Sequence, residues 1–186
     1  FSYYRDFIGY NIGLDLELNS LNFPSRLQAY RVAANATDAV TTQGFSVGAN
    51  YYFARFFGLA ANYSWNKLNT ETDDPIVPAY NTPEHKYNLG ISGRNVLIGG
   101  DDNFGFNVNY KWVEGFLFEG SPQFTGFIPS YGLLDGQINY QFERINTTLK
   151  IGATNILNNK VFQTYGGPRI GRLAYITATY EFENKK

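Results

Sequence analysis

Residues 172–182, RLAYITATYEF, decide how the rest of the chain is read. Ala174, Ile176, Ala178, Tyr180 and Phe182 fall on one side of an extended backbone, and Thr177, Thr179 and Glu181 fall on the other. That period of two marks a strand with one apolar face. Working backwards, the pattern repeats. Leu149, Ile151 and Ala153 alternate with Lys150, Gly152 and Thr154; Leu134, Ile138, Tyr140 and Phe142 alternate with Asp135, Gln137, Asn139 and Gln141. Phe104, Phe106, Val108, Tyr110 and Trp112 oppose Asn107, Asn109 and Lys111. Tyr87, Leu89 and Ile91 oppose Lys86, Asn88 and Ser92. Two further strands, over 57–65 and 45–53, follow the same rule, the latter reaching back to about Leu27 with a kink near Ala34 to Asp38. Residues 1 to about 12 are strand-like with an ambiguous facing. Eight strands are therefore expected.

The connections carry a second signal. Residues 13–26, 70–82, 115–130 and 156–171 are long and rich in Gly, Pro, Asn and acidic residues. Residues 54–56 and 143–145 are short, and 94–102 are intermediate. Long and short connections alternate, which puts every long one at the same end of an up-and-down sheet. Outer-membrane barrels show this asymmetry, and the strands have about the ~9–11 residues that a tilted membrane strand needs.

Composition narrows the function. The 186 residues carry 15 Lys+Arg against 16 Asp+Glu, a net charge of -1, so the basic footprint of a nucleic-acid binder is missing. Cysteine is absent, which removes disulfides, thiolate metal sites and a cysteine nucleophile. Methionine is absent too, so a processed product or a piece of a longer chain is expected. No apolar run approaches the ~18 residues of a membrane helix. Aromatic residues make up 18% and charged residues only 17%, below the ~25% of an ordinary soluble domain. Asn, at 20 residues, suits turns and polar surfaces.

Period two alone leaves two environments open: a soluble barrel with its apolar face inward, or a membrane barrel with that face to lipid. Three features favour the membrane. Aromatics gather near the short turns (Tyr51, Phe53, Phe57, Phe104, Phe142, Tyr180, Phe182), with a looser set near the long loops (Tyr63, Trp65, Tyr110, Trp112). The apolar face is expected to carry no Lys, Arg, Asp or Glu. The opposite face is built of Asn, Ser, Thr, Gln and Gly, a hydrated wall. Phe106, Val108, Tyr110, Ile138, Tyr140, Ile176, Tyr180 and Phe182 are thus expected to face lipid.

Three stretches, VTTQGFSVGANYYF (40–53), NTPEHKYNLGISGR (81–94) and GATNILNNKVFQTYGGPRIGRLAYITATYEF (152–182), resemble the TonB-dependent outer-membrane receptors common in Bacteroidota. The last is the most specific. Tyr180-Glu181-Phe182 is similar to the aromatic-terminated final strand that the outer-membrane assembly machinery recognises, although four residues, ENKK, follow it. The resemblance implies an all-β fold of antiparallel transmembrane barrel strands in a Gram-negative outer membrane. It implies 22 strands around an N-terminal plug, with energy from TonB, and the eight strands here would be the C-terminal third. Residues 1–182 would be the barrel segment and 183–186 a short polar tail. The partners so implied are the remaining strands and plug of the same receptor, the TonB complex through that plug, outer-membrane lipid and a surface-exposed lipoprotein. The cargo class stays open among siderophore, vitamin, peptide and oligosaccharide. A self-closed eight-stranded barrel with a structural or adhesive role is the alternative, and a soluble ligand-binding barrel a third.

Catalytic chemistry finds no support in the residues. His85 stands alone in Pro83-Glu84-His85-Lys86, without a second His or any Cys, and reads as a rim residue. Asp73-Asp74 and Asp101-Asp102 lack calcium-loop spacing and read as solvated turns. Tyr165-Gly166-Gly167-Pro168-Arg169 has no strand–loop–helix context for phosphate and reads as a sharp turn. Asn35, Asn62 and Asn146 begin glycosylation-type triplets, read as chance in an Asn/Thr-rich lumen. No enzyme, metal site or cofactor is expected. Ligand contacts are expected from the loop residues Phe124, Phe127, Tyr131 and Tyr165, with Phe118 beside them. On the lumen wall Lys111, Asp135 and Gln137 are placed to touch either ligand or plug.

Overall fold

A computed structural model describes residues 2–4, 8–69, 80–97, 103–120 and 124–182. The alternating segments become strands of one antiparallel sheet. Its strands are β1 (Ser2–Tyr4), β4 (Val40–Phe53), β5 (Phe57–Leu68), β6 (His85–Leu97), β7 (Asn103–Val113), β10 (Tyr131–Phe142), β11 (Thr147–Thr154) and β12 (Leu173–Tyr180). They lie side by side in the order β1-β4-β5-β6-β7-β10-β11-β12. The sheet is open: β1 pairs with β4, β12 pairs with β11, and these two edge strands do not pair with each other. Two small ribbons complete the strands, β2 (Ile8–Leu18) with β3 (Pro24–Asn35), and β8 (Phe116–Phe118) with β9 (Gly126–Ile128).

The β2–β3 ribbon corrects the expected loop over 13–26. The period of two runs on through Leu14, Leu16 and Leu18 against Asp15 and Glu17, and β3 supplies partners, from Leu14 opposite Ala29 to Glu17 opposite Arg26. Only the few residues between Leu18 and Pro24 turn, fastened by the Asn19 side chain, whose Oδ1 accepts the backbone N–H groups of Leu21 (2.9 Å) and Phe23 (3.0 Å). The single strand expected to reach back from Phe53 to about Leu27, with a kink near Ala34 to Asp38, is two strands in different sheets: β3 pairs with β2, and β4 with β1 and β5. The strand expected over 1 to about 12 is divided between β1 and β2. The acidic pairs at 73–74 and 101–102 and the tail at 183–186 lie outside the described residues.

Register shows how the two faces separate. On one face Phe45, Trp65 and His85 stand in a row across β4, β5 and β6. Below them Val47, Tyr63, Tyr87 and Trp112 form the next row, then Ala49, Ala61, Leu89, Tyr110 and Leu134. Farther along, Ile138 faces both Phe106 and Ile151, and Ile151 faces Ile176. This face is left uncovered: Tyr51, Val47 and Ile176 are 65%, 57% and 69% exposed. All eight residues expected to face lipid belong to its parity. The expectation of no charge there needs one correction. Outside the β6 bulge at Gly93/Val96, Lys67 is the one Lys, Arg, Asp or Glu on this face among the described residues of β4–β7 and β10–β12, opposite Gln43 at the long-loop end.

Turns explain the asparagines. Of the non-glycine residues with positive φ, Asn22, Asn95, Asn146, Asn155 and Asn158 are asparagine, with φ between 46° and 59°. Asparagine tolerates this left-handed conformation best after glycine. The remaining two, Ala54 and Arg55, make the tight turn from β4 into β5.

Gly93, directly opposite Phe106, has the aromatic ring lying over the place a Cβ would occupy. Gly93→Val is expected to force that ring aside and cost about 1–3 kcal/mol, read as a lower urea midpoint in detergent. Gly13→Ala, where the nearest atom is Tyr30 Cβ at 3.8 Å, is expected to leave the midpoint unchanged.

Candidate functional site at the long-loop end

The long connections leave the sheet at one end, as their alternation with the short turns requires. There they build the principal buried cluster. Val113, Ile128 and Tyr131 are buried, and Phe116, Phe118, Leu133, Val161 and Tyr165 pack against them. Val113 and Tyr131 are opposite each other on the polar side of the sheet, so this cluster caps the polar wall at its loop end. Ile128, at the end of β9, is fully buried.

Side-chain amides hold the loops in place. Asn81, in the β5–β6 connection, donates from Nδ2 to the Glu119 carbonyl (3.0 Å) and accepts the Glu119 N–H at Oδ1 (2.7 Å). That reciprocal pair joins two neighbouring loops. Asn155 closes a third. Its Nδ2 donates to the carbonyls of Asn159 (2.8 Å) and Ile170 (3.2 Å), and its Oδ1 accepts the Asn159 N–H (2.9 Å). Asn159 then donates to the Gly132 carbonyl (2.7 Å), and Asn158 Oδ1 accepts the Arg172 N–H (3.0 Å). The sequence signal for these asparagines is the run Asn155-Ile156-Leu157-Asn158-Asn159, which leaves β11 for a Gly/Pro-containing loop.

The expected ligand contacts divide by position. Phe124 and Phe127 are exposed on the loop surface, at 46% and 62%. Tyr131 is buried in the loop cluster, and Tyr165 packs against that cluster with its ring over Gly126. Gly166 takes a φ of 75° beneath the Phe124 ring, which makes the sharp turn expected there. Lys111 and Asp135 are on the polar face; Asp135 Oδ1 accepts the Asn155 N–H at 2.8 Å. Gln137, on the same face, accepts from the Tyr175 hydroxyl at 2.9 Å.

Between the β5–β6 and β7–β10 loops lies a cavity of about 500 Å³, whose lining includes Tyr80, Glu84, Glu114, Phe116, Glu119 and Phe127. Two of its carboxylates are engaged. Glu84 accepts from the Trp65 indole (3.0 Å) and Glu114 from the His85 backbone N–H (3.0 Å). His85 opens β6 with Nδ1 against the Tyr63 hydroxyl at 2.6 Å. Among the described residues no group of three or more His, Cys, Asp or Glu could hold a metal ion.

An open antiparallel meander with one apolar face and loops gathered at one end agrees with a further finding. Residues 2–156 match the family model described as TonB dependent receptor-like, beta-barrel. The chain belongs to that family. TonB-dependent receptors are transport receptors of the Gram-negative outer membrane, not enzymes, and they operate with a plug domain and with TonB. No curated protein and no solved structure matches the chain. The matched span contains the 40–53 and 81–94 stretches but only the first residues of 152–182.

Asn155→Ala is expected to strand the Asn159 N–H and two carbonyls and so to cost about 1–3 kcal/mol locally. Limited proteolysis should cut faster within 156–171, while hydrogen exchange in β10 and β11 stays as in the parent.

Proposed function

We propose that the chain is the C-terminal barrel portion of a TonB-dependent receptor, of the Bacteroidota kind, for energised uptake of a nutrient. The observation that carries this reading is the pair of faces: an uncovered apolar face on which Lys67 is the single charge outside the β6 bulge among the described residues of β4–β7 and β10–β12, backed by a polar wall capped by loops. A water-exposed surface would be about a quarter to a third charged, whereas a face toward hydrocarbon excludes charge. Phe106, Val108, Tyr110, Ile138, Tyr140, Ile176, Tyr180 and Phe182 meet lipid on this reading. The open edges at β1 and β12 support a place within a larger barrel of 22 strands, because unpaired backbone groups in a bilayer cost several kcal/mol each. The likeness of Tyr180-Glu181-Phe182 to an assembly signal supports the C-terminal position, with residues 1–182 as barrel and 183–186 as tail.

Function then divides along the chain. Phe124 and Phe127, supported by Tyr131 and Tyr165, meet the cargo at the surface; Lys111 and Asp135 meet it, or the plug, on the wall. The chain performs no bond chemistry. It supplies wall and loops, and the work is done by TonB acting on the plug. A surface-exposed lipoprotein is a further partner on this reading. The cargo is a siderophore, vitamin, peptide or oligosaccharide.

Val108→Arg or Ile138→Arg is expected to impair insertion by about 2–4 kcal/mol, and Asn109→Arg on the polar face to be mild. Heat-modifiable mobility of the outer-membrane fraction measures both, and equal effects would contradict the facing. Cysteines placed singly in 2–4 and in 174–180 should form no disulfide with each other, since a self-closed barrel would bring those strands together.

A further inference from the structure

We propose that Lys86 and Lys111 form a site on the polar wall for an anionic oxyacid group, a carboxylate or phosphate, of the transported solute. This rests on the transport reading and names the chemistry of what passes. Lys111 faces Asn88 across β6–β7, and Lys86 is two residues before Asn88. The two lysines are therefore diagonal neighbours, about 7–8 Å apart. Both are half-buried, and neither makes an ion pair or hydrogen bond among the described residues.

The acid beside Lys111 is held away from it. Asp135 is diagonal to Lys111 across β7–β10, but its Oδ1 accepts the Asn155 N–H and it forms no ion pair among the described residues. The next acid, Glu114, accepts from the His85 backbone. What surrounds the lysines is rich in groups that donate. Asn62 and Asn88 extend the Lys111 row, and Ser64 adjoins Lys86, its hydroxyl already bonded to Ser46 (2.8 Å). A lysine ammonium only donates, and two like charges on neighbouring strands, with no carboxylate paired to either among the described residues, repel. An oxyanion between them relieves the repulsion and forms charge-assisted hydrogen bonds to both. The site lies below the loop cluster, where a solute leaving the loops first meets the wall.

The test uses the receptor carrying this chain, purified in detergent, with citrate as the probe. A water-soluble N-hydroxysuccinimide ester acetylates accessible lysines, and mass spectrometry reads each position. Lys86 and Lys111 should be modified in the free receptor and protected several-fold by citrate but not by glycerol. Lys150, on the same face but far down the wall opposite Asn139, should be unaffected. A receptor with both Lys86→Gln and Lys111→Gln should hold citrate roughly tenfold more weakly in equilibrium dialysis, and Lys150→Gln should hold it as before. Equal protection of all three lysines would overturn the site. So would lysines that resist acetylation without citrate and that a carbodiimide couples to carboxylates elsewhere in the receptor, since an acidic protein surface would then fill the wall. A receptor that assembles in the outer membrane and transports, yet shows either result, loses this inference alone.

Discussion

A backbone that crosses hydrocarbon must satisfy every N–H and C=O from within the protein, because no water is there to accept or donate. In this chain each strand of the main sheet pairs antiparallel with the sheet strand before and after it in sequence, and the connections between them are tight turns at one end and long loops or ribbons at the other. On the proposed reading the constraint also imposes the period of two, because each strand would show alternate side chains to lipid and to the lumen. The same alternation accompanies short turns at one end, long loops at the other, and two open sheet edges.

The same constraint explains why so little of the chain is buried. Among the described residues the buried apolar side chains are Ala36, Val40, Val113, Ile128 and Tyr131. A soluble domain of this size would gather its Ile, Leu, Val and Phe inside. Val47, Leu59, Ile138, Ile151 and Ile176 instead remain uncovered by protein, and on the proposed reading the bilayer is their solvent. The hydrophobic cluster that does form is at the loop end, where water returns and the loops need a core. Polar loop backbone is then satisfied by asparagine side chains rather than by a ladder, as at Asn81 and Asn155.

Legibility in the sequence followed the range of the forces involved. Strands such as 104–112 and 134–142 could be read directly, because alternation is a local property of the chain. Over 13–26, Gly13, Asn19, Asn22 and Pro24 read locally as a connection. Leu14, Leu16 and Leu18 kept alternating with Asp15 and Glu17, and a facing strand was enough to hold them extended. Lys67 comes onto the apolar face because β5 runs on past Trp65 to Leu68, held extended by its pairing with β4. Tyr131 and Phe127 looked alike as loop aromatics, but one is buried under β9 and the other is exposed.

By itself the sequence determined an all-β chain with a single apolar face and alternating connection lengths. Those are features of spacing and composition, and the bilayer's demand for paired backbone writes them locally into every strand. The tertiary structure decided what meets what. Register placed Phe45, Trp65 and His85 in one row and made diagonal neighbours of Lys86 and Lys111. Loop folding chose which aromatics were buried and made Asn155 a hub, joining Asp135 on the wall to Asn159 and Ile170 in the loop. Such contacts join residues 20 or more positions apart in several cases. No local pattern encodes them, because they exist only once neighbouring strands have fixed each other's register.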